Sequence, residues 1–298
     1  MSSVFEKSSK ARWLALSPSL FVIGIFMGVP LLIMVGISFL EQDTFGGVKP
    51  AFSYAAYRQL VMELDFFDNL VFDPAYLIIV WRSVYIAFLA MVVTLVLGFP
   101  MAYYITRQSQ HRRNLLIFLI TIPLWTNLLI RIFAWLIILG HGGPLDMPFR
   151  YFDPNFSLGL LYTPFAIVLG LAYVYLPLMV LPIYASLEKL DFRLVEAASD
   201  LYSSKWAAMR HVVIPLSIPG IAAGCILVFV PALGDFIVVT LLGGAKNLML
   251  GSLIQFQFQT ARNWPFGAAL SVVLLLFVFV SMWFYGRLNK DEDAGGHP

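Results

Sequence analysis

One acidic residue, Asp235, lies inside a long apolar segment, shortly after Pro231. An ionised carboxylate within a bilayer costs at least about 2.5 kcal/mol, so such a residue usually faces a cavity or a partner group. A carboxylate can replace the water that a permeating cation loses, and aromatic faces attract cations. Asp235 could therefore line a path with Tyr173 and Tyr175. Two structural alternatives stay open, since Asp235 could pair with Arg131 or be satisfied by backbone groups that Pro231 frees.

The sequence carries no pattern typical of catalysis or of ATP hydrolysis. It has neither a phosphate-binding GxxxxGK(S/T) loop nor an HExxH metal motif. Its four histidines are scattered among polar segments, and its single cysteine, Cys225, lies in an apolar segment. A disulfide framework and a cysteine-based metal site are therefore excluded. We predict that the chain is not an enzyme and holds no metal or cofactor of its own.

Residues 187–215 form the most polar stretch of the second half of the chain. Apart from its final proline, the stretch lacks the Gly, Pro and Asn residues of an ordinary loop. Its first part has helical spacing, with apolar side chains on one face. Ser204 could cap a second short helix that starts at Lys205. The pattern predicts two short helices on the membrane surface, either docked to a partner or solvated without one.

The composition indicates which elements position these residues. Sixty per cent of the residues are hydrophobic and only 12% are charged, which excludes an ordinary soluble domain. The apolar residues form blocks of roughly 20 or more, the length that a helix needs to cross a hydrocarbon core. We predict an all-α polytopic membrane protein. Its six predicted spans are about 13–40, 77–105, 115–139, 162–186, 214–242 and 266–288.

Lys and Arg residues predict the orientation of these spans, because cytoplasmic segments are enriched in them. The two tails, the turn 107–113 and the stretch 187–215 together hold 12, whereas the opposite loops hold five. Both termini are therefore predicted to be cytoplasmic, and the acidic loop 41–76 is predicted to face outward. The predicted divisions are a tail (1–12), one membrane domain (13–288) with a cytoplasmic segment (187–213), and a second tail (289–298).

The cytoplasmic stretch resembles the EAA signature of ABC-importer permeases. In that family the signature forms coupling helices that dock into a groove on a cytoplasmic ATPase. The residues that carry the resemblance, and to which it assigns ATPase coupling, are Glu196, Ala197, Ala198, Asp200, Leu201 and Tyr202. Tyr202 departs from the pattern, because the family usually has Gly there and Gly permits φ > 0. We therefore predict a turn at Tyr202 built in the αR or bridge region.

Four further segments resemble the permeases of polyamine (spermidine/putrescine) ABC importers, so that the resemblance covers most of the predicted membrane domain. They are residues 123–135 (PLWTNLLIRIFAW), 173–191 (YVYLPLMVLPIYASLEKLD), 231–251 (PALGDFIVVTLLGGAKNLMLG) and 262–269 (RNWPFGAA). The resemblance implies a type I ABC importer permease fold, with six transmembrane helices and cytoplasmic coupling helices, in the bacterial inner membrane. The candidate substrate-pathway residues are then Asp235, Tyr173, Tyr175, Trp125 and Asn127.

The resemblance also implies partners. A second related permease would complete the path, a cytoplasmic ATPase dimer would bind ATP and Mg²⁺, and a periplasmic binding protein would deliver the polyamine. No nucleic acid is expected. The loop 41–76 is a candidate docking surface for the binding protein. Residues 255–259, an extended or short amphipathic segment, could also contact it, or could instead pack as a folded-back loop. Two other functions stay open: a stand-alone secondary transporter or channel for small cations, and an ABC permease for another small amine or opine.

Overall fold

The computed structural model describes residues 16–64, 70–153, 156–190, 193 and 205–293, which are mainly helical. The predicted coupling residues 196–202 lie outside the described residues, so the turn at Tyr202 stays a prediction. The helices are α1 (Leu16–Ser38), α2 (Ala55–Gln59), α3 (Ala75–Thr106), α4 (Gln110–Trp125), α5 (Leu128–Leu139), α6 (Met147–Arg150), α7 (Pro164–Leu187), α8 (Trp206–Gly234), α9 (Leu250–Gln259) and α10 (Trp264–Asp293). The strands are β1 (Leu40–Gln42), β2 (Val48–Phe52), β3 (Met62–Leu64) and β4 (Leu70–Phe72).

Five of the described helices, α1, α3, α7, α8 and α10, are long and apolar enough to cross a membrane. A sixth span is present if α4 and α5 count as one, but these two helices are bent by 91°. The predicted span 115–139 is therefore not one straight helix but two helices, α4 and α5, joined at a sharp bend. Thr126 and Asn127 are extended, and the Asn127 side chain accepts the N–H of Leu129 at 2.8 Å. Asn is a strong N-cap, so the chain begins a new helix at this point.

The described residues fall into two compact units, the first drawn from Met1–Pro74 and Ile254–Val273. In this unit the acidic loop folds into two antiparallel hairpins, β1–β2 and β3–β4. Glu41 lies opposite Lys49 in the first hairpin, and their side chains form an ion pair at 3.3 Å. Phe39 stacks on Phe52 with ring centroids 5.9 Å apart. Cross-strand charge and aromatic pairs of this kind stabilise a short hairpin.

The turn between β1 and β2 is held by the segment that precedes α10. Gly46 and Gly47 have φ of 88° and 99°, a region that favours glycine. The N–H of Gly47 donates to the carbonyl of Arg262 at 2.9 Å, and Arg262 itself has φ of 51°. Nearby, the Asn263 side chain donates to Gln59 Oε1 at 3.3 Å. The hairpin and this segment therefore form one folded element.

The second unit consists of Ala75–Leu253 and Leu274–Pro298, and its core is built where α7 packs against α3 and α8. Gly220 and Gly224, one turn apart on α8, make the approach to α7 possible. A Cβ on Gly220 would lie 2.6 Å from the carbonyl oxygen of Pro182, and one on Gly224 would lie 2.8 Å from the sulfur of Met179. Small residues spaced four apart let membrane helices pack closely. This contact sets the position of α7 beside α8.

The predicted span 214–242 is also interrupted. α8 ends at Gly234, Asp235 is extended with φ of −69° and ψ of 119°, and a π-helical turn follows at Val239–Gly243. α9 then packs against the interruption, because a Cβ on Gly251 would lie 2.6 Å from the carbonyl carbon of Gly234. The glutamine-rich segment 255–259 is the helical end of α9. A break in the helix therefore places Asp235 among packed backbone.

The loop between α5 and α7 is organised by Asp146. This residue is buried, and its carboxylate accepts the N–H of Gly142 at 2.9 Å and the N–H of Leu158 at 3.0 Å. The backbone bond from Leu158, followed by that from Gly142, lowers the pKa of Asp146 below its ordinary value of 3.8. One charged side chain thus joins residues that are distant along the loop.

Candidate substrate site

Asp235 lies at the break after α8, and both of its carboxylate oxygens are hydrogen-bonded. Oδ1 accepts the N–H of Val238 at 2.9 Å, which is the bond of a helix N-cap. Oδ2 accepts the hydroxyl of Tyr175 at 2.8 Å. Only 9% of the residue is exposed. The structure therefore brings Asp235 and Tyr175 together, and it gives the carboxylate a local capping contact as well.

Tyr173 lies on a different face of α7 from Tyr175, because two residues advance a helix by about 200°. The Tyr173 ring meets Trp135 edge-on, with centroids 5.6 Å apart. The guanidinium carbon of Arg131 is 5.9 Å from the centre of the same ring. The two tyrosines that the sequence proposes for one path therefore have different neighbours, one a carboxylate and the other a guanidinium.

Arg131 does not pair with Asp235. Lys49–Glu41 and Arg113–Glu188 form ion pairs in the described part of the chain, whereas no ion pair there joins Arg131 to Asp235. The Nε and Nη1 atoms of Arg131 are buried and have no hydrogen-bond partner among the described residues. A buried guanidinium is costly without an acceptor. The alternative in which Asp235 is a structural partner of Arg131 is therefore absent from this structure.

Trp125 and Asn127 flank the break between α4 and α5. The Trp125 side chain is prominent, with 86% of the residue exposed, whereas the Asn127 side-chain oxygen is used to cap α5. Within the described ranges, no hydrogen bond joins either residue to Asp235. The break thus presents an exposed indole beside a polar cap, separately from the hydrogen-bonded pair of Asp235 and Tyr175.

The Asp235 carboxylate can accept a further hydrogen bond. An ionised carboxylate offers about four lone-pair sites, so Asp235 retains acceptor capacity beyond its bonds to Val238 and Tyr175. A metal ion would need several such ligands. In the part of the chain that the structure describes, no group of three or more His, Cys, Asp or Glu residues is placed to hold one.

Two polar residues that the sequence did not point to fix the loop between the π-helical turn and α9. The Asn247 amide donates to the carbonyls of Tyr162 and Gly243, at 2.8 and 3.0 Å. The Ser83 hydroxyl accepts the N–H of Leu250 at 2.8 Å. These bonds hold the loop after Asp235 to α3 and to the start of α7. Their sequence signals are slight: a serine inside an apolar span and an asparagine after a glycine pair.

At the opposite end of the bundle, Arg113 joins three elements. Its Nη1 atom is 3.2 Å from the carboxylate of Glu188, the residue that caps α7, and its Nη2 atom donates to the carbonyl of Thr106 at 3.1 Å. Arg113 itself lies in the first turn of α4. The predicted coupling segment begins directly after α7, so Arg113 ties the start of that segment to the turn between α3 and α4.

Comparison with known sequences finds relatives over almost the whole chain. Residues 10–292 match the family described as binding-protein-dependent transport system inner membrane component. The spermidine/putrescine transport system permease protein PotB of Escherichia coli strain K12 is 39% identical over 267 residues, which cover 89% of this chain and 93% of that protein. The inner membrane ABC transporter permease protein YdcU of the same strain is 30% identical over 236 residues, which cover 74% of each.

Comparison with solved structures finds the same architecture in importers of another substrate. A bacterial ABC transporter involved in the import of the acidic polysaccharide alginate has a chain with a TM-score of 0.67 and 15% identity, covering 95% of this chain and 98% of that one. A bacterial alginate ABC transporter in complex with its alginate pentasaccharide-bound periplasmic protein gives a TM-score of 0.69 at 14% identity, with 96% of both chains covered. At such identities the likeness concerns the fold alone.

Proposed function

The chain belongs to the family of binding-protein-dependent transport system inner membrane components, and we propose that it passes a polyamine such as spermidine or putrescine across the membrane. It is a multi-pass permease subunit of an ABC importer, it has the type I permease fold, and it is not an enzyme. The family and the fold class predicted from the sequence are confirmed.

One observation carries the choice of substrate. The 39% identity extends over 267 residues of proteins that are named as spermidine/putrescine permeases, so the likeness is not confined to one signature. The alginate importers share the fold at 15% identity or less and therefore do not bear on the substrate. The carboxylate and tyrosine of the candidate site have the chemistry that an ammonium group requires.

In the proposed path, Asp235 receives one ammonium group of the polyamine on a lone pair that Val238 and Tyr175 leave open. Tyr175 keeps the carboxylate oriented, and this orientation reduces the reorganisation needed when the cation arrives. Trp125 and Asn127 at the break between α4 and α5 offer an aromatic face and a polar rim for the methylene chain. A polyamine is long and flexible, so such separate contacts can act on the same molecule.

Partner subunits would supply the energy for transport and complete the transporter. In our proposal a second related permease completes the path, a periplasmic binding protein delivers the polyamine, and an ATPase dimer holds ATP and Mg²⁺. ATPase closure moves the coupling residues 196–202, and α7 carries this motion to Tyr175. Arg113 and Glu188 make the start of the segment move with the turn between α3 and α4. Rocking of packed helices against one another is a common way to alternate access.

The orientation is part of the same proposal. The 12 basic residues of the two tails, the turn 107–113 and the stretch 187–215 support a cytoplasmic location for these segments. The hairpins β1–β2 and β3–β4 then face the periplasm, where they offer a docking surface to the binding protein. A cysteine introduced at an exposed hairpin residue such as Phe45 should react with a membrane-impermeant maleimide in intact cells.

Reconstitution tests the substrate. The permease pair with its ATPase is placed in proteoliposomes, and ATPase activity and uptake are measured with a binding protein loaded with spermidine, putrescine, an amino acid or an opine. We expect the di- and triamines to stimulate both activities and the other ligands to stimulate neither. Glu196→Ala serves as the coupling control, which should lower uptake while the polyamine still binds to its binding protein.

Two results would contradict the proposal. Uptake that proceeds without the ATPase would indicate a secondary transporter or a channel. If an opine or an amino acid stimulated ATPase activity and uptake more than every polyamine did, the chain would be an ABC permease for another substrate.

A further inference from the structure

A groove on the second unit plays no part in the proposed path. It lies between the last turns of α3 and the first turns of α8 and has a volume of about 440 Å³, within the range of small-molecule sites. Its lining is almost entirely apolar and includes Phe99 and Pro100 from α3 and Ile214 and Ile221 from α8. No acidic residue lines it, so the groove is unsuited to a polyamine.

The mouth of the groove has the residues of a membrane–water interface. Trp206, at the start of α8, is 72% exposed and forms part of the lining. Arg107 directly follows α3, and its guanidinium carbon lies 5.6 Å above the ring of Tyr103, another lining residue. Arg210 is exposed one turn after Trp206. Tryptophan and arginine at the ends of spanning helices mark the depth of lipid headgroups.

We propose that this groove binds an anionic phospholipid, with one acyl chain between α3 and α8 and the headgroup phosphate at Arg107. Basic pockets between transmembrane helices are known to take anionic headgroups, and a guanidinium matches the geometry of a phosphate. The apolar lining favours an acyl chain, and the amphipathic indole of Trp206 favours the region between chain and headgroup. Arg210 adds a second cation on the same side.

The position of the groove gives the lipid a regulatory role. Its α8 wall contains Met209, which opens the π-helical turn Met209–Val213. Single π-helical turns are frequent at functional sites because they interrupt the regular hydrogen-bond ladder. α8 also begins inside the predicted cytoplasmic segment 187–213, shortly after the coupling residues 196–202. A lipid between α3 and α8 therefore contacts one of the two helices that flank the coupling residues.

Lipid binding can be measured without transport. The assembled complex is purified in detergent, exchanged into mixtures of phosphatidylglycerol and phosphatidylcholine, and the retained lipids are counted by native mass spectrometry. We expect selective retention of phosphatidylglycerol, and Arg107→Gln should reduce the selectivity about fivefold, the factor for one cation beside an anionic lipid. Val96→Trp, which fills the groove, should abolish retention. Arg58→Gln, at an exposed arginine of α2, is the matched control and should change nothing.

Three outcomes would overturn the inference. Equal retention of the two lipids would show that the groove does not recognise the headgroup. Unchanged selectivity in Arg107→Gln would show that Arg107 does not contact the phosphate. If Val96→Trp prevents assembly with the second permease instead, a protein helix occupies the groove. These experiments measure lipid retention or assembly of the complex, and none of them measures transport. A negative result here therefore leaves the polyamine proposal untouched, and a substrate other than a polyamine would leave the lipid result valid.

Discussion

Different substitutions of Asp235 test two roles of its side chain, the negative charge and the hydrogen bond that caps the next helix. Asparagine keeps an oxygen that can accept the N–H of Val238, and Asn and Asp are about equally good N-caps. Alanine removes the cap and also leaves the hydroxyl of Tyr175 without its acceptor. Tyr175→Phe removes the hydroxyl alone, and Tyr173→Phe is its matched control on a different face of the same helix. The four variants therefore distinguish structure from substrate contact.

The expected stability changes follow from the two hydrogen bonds. Loss of the N-cap costs about 0.5–2 kcal/mol, and an unsatisfied buried hydroxyl costs about 1–3 kcal/mol. Asp235→Ala should therefore destabilise the permease by about 1.5–5 kcal/mol. Tyr175→Phe loses a bond to a charged group, about 1.5–3 kcal/mol. Asp235→Asn should cost about 1 kcal/mol or less, since a neutral bond replaces a charged one. Tyr173→Phe should cost little, because the described residues supply no partner for its hydroxyl.

The assay combines the melting temperature of the purified complex with spermidine uptake. We expect Asp235→Asn to assemble and melt almost as the wild type does, yet to lose most uptake and most polyamine-stimulated ATPase activity. Full uptake by Asp235→Asn would refute the role of the charge in the path. If Asn lowers the melting temperature as far as Ala does, the carboxylate serves the fold and the reasoning on the cap is wrong.

Three further predictions concern positions away from the site. Gly251→Ala should destabilise the protein by at least about 1–3 kcal/mol, because its Cβ would meet the backbone at the end of α8; Gly36→Ala, with open space around it, should be neutral or slightly stabilising, and melting temperatures decide. Arg113→Gln should clearly lower the uptake per ATP hydrolysed, while the loss of a half-exposed ion pair should cost only about 1 kcal/mol of stability. An unchanged ratio of uptake to ATP hydrolysis in the variant would count against this role. Protonation of Asp146 should loosen its loop only below pH 3.8, because a carboxyl whose pKa is lowered on folding loses its contribution as the pH falls through the folded value. Hydrogen exchange at Leu158 should show that loss, and Asp146→Asn should remove the pH dependence; unchanged acid sensitivity in this variant would assign it to another group.

Several features of this protein were determined by the sequence alone. Membrane crossing depends on the length and hydropathy of each segment, which are local properties, so the spans α1, α3, α7, α8 and α10 are predictable without any packing. The Glu196-Ala197-Ala198 signature likewise depends only on neighbours in the chain, and it led to the correct family. The polar character of the hairpin region, 41–76, was equally visible.

The contacts of the polar residues follow from packing between distant segments. Asp235 and Tyr175 are 60 positions apart and meet because glycines on α8 let it approach α7 closely. Arg131, which the sequence left open as an alternative partner for Asp235, lies instead against Tyr173. The break at Asn127 is capped locally, but only the structure gives the 91° bend between α4 and α5. Hydropathy averages over a whole segment, whereas hydrogen bonds depend on the direction of single side chains, and packing alone sets those directions.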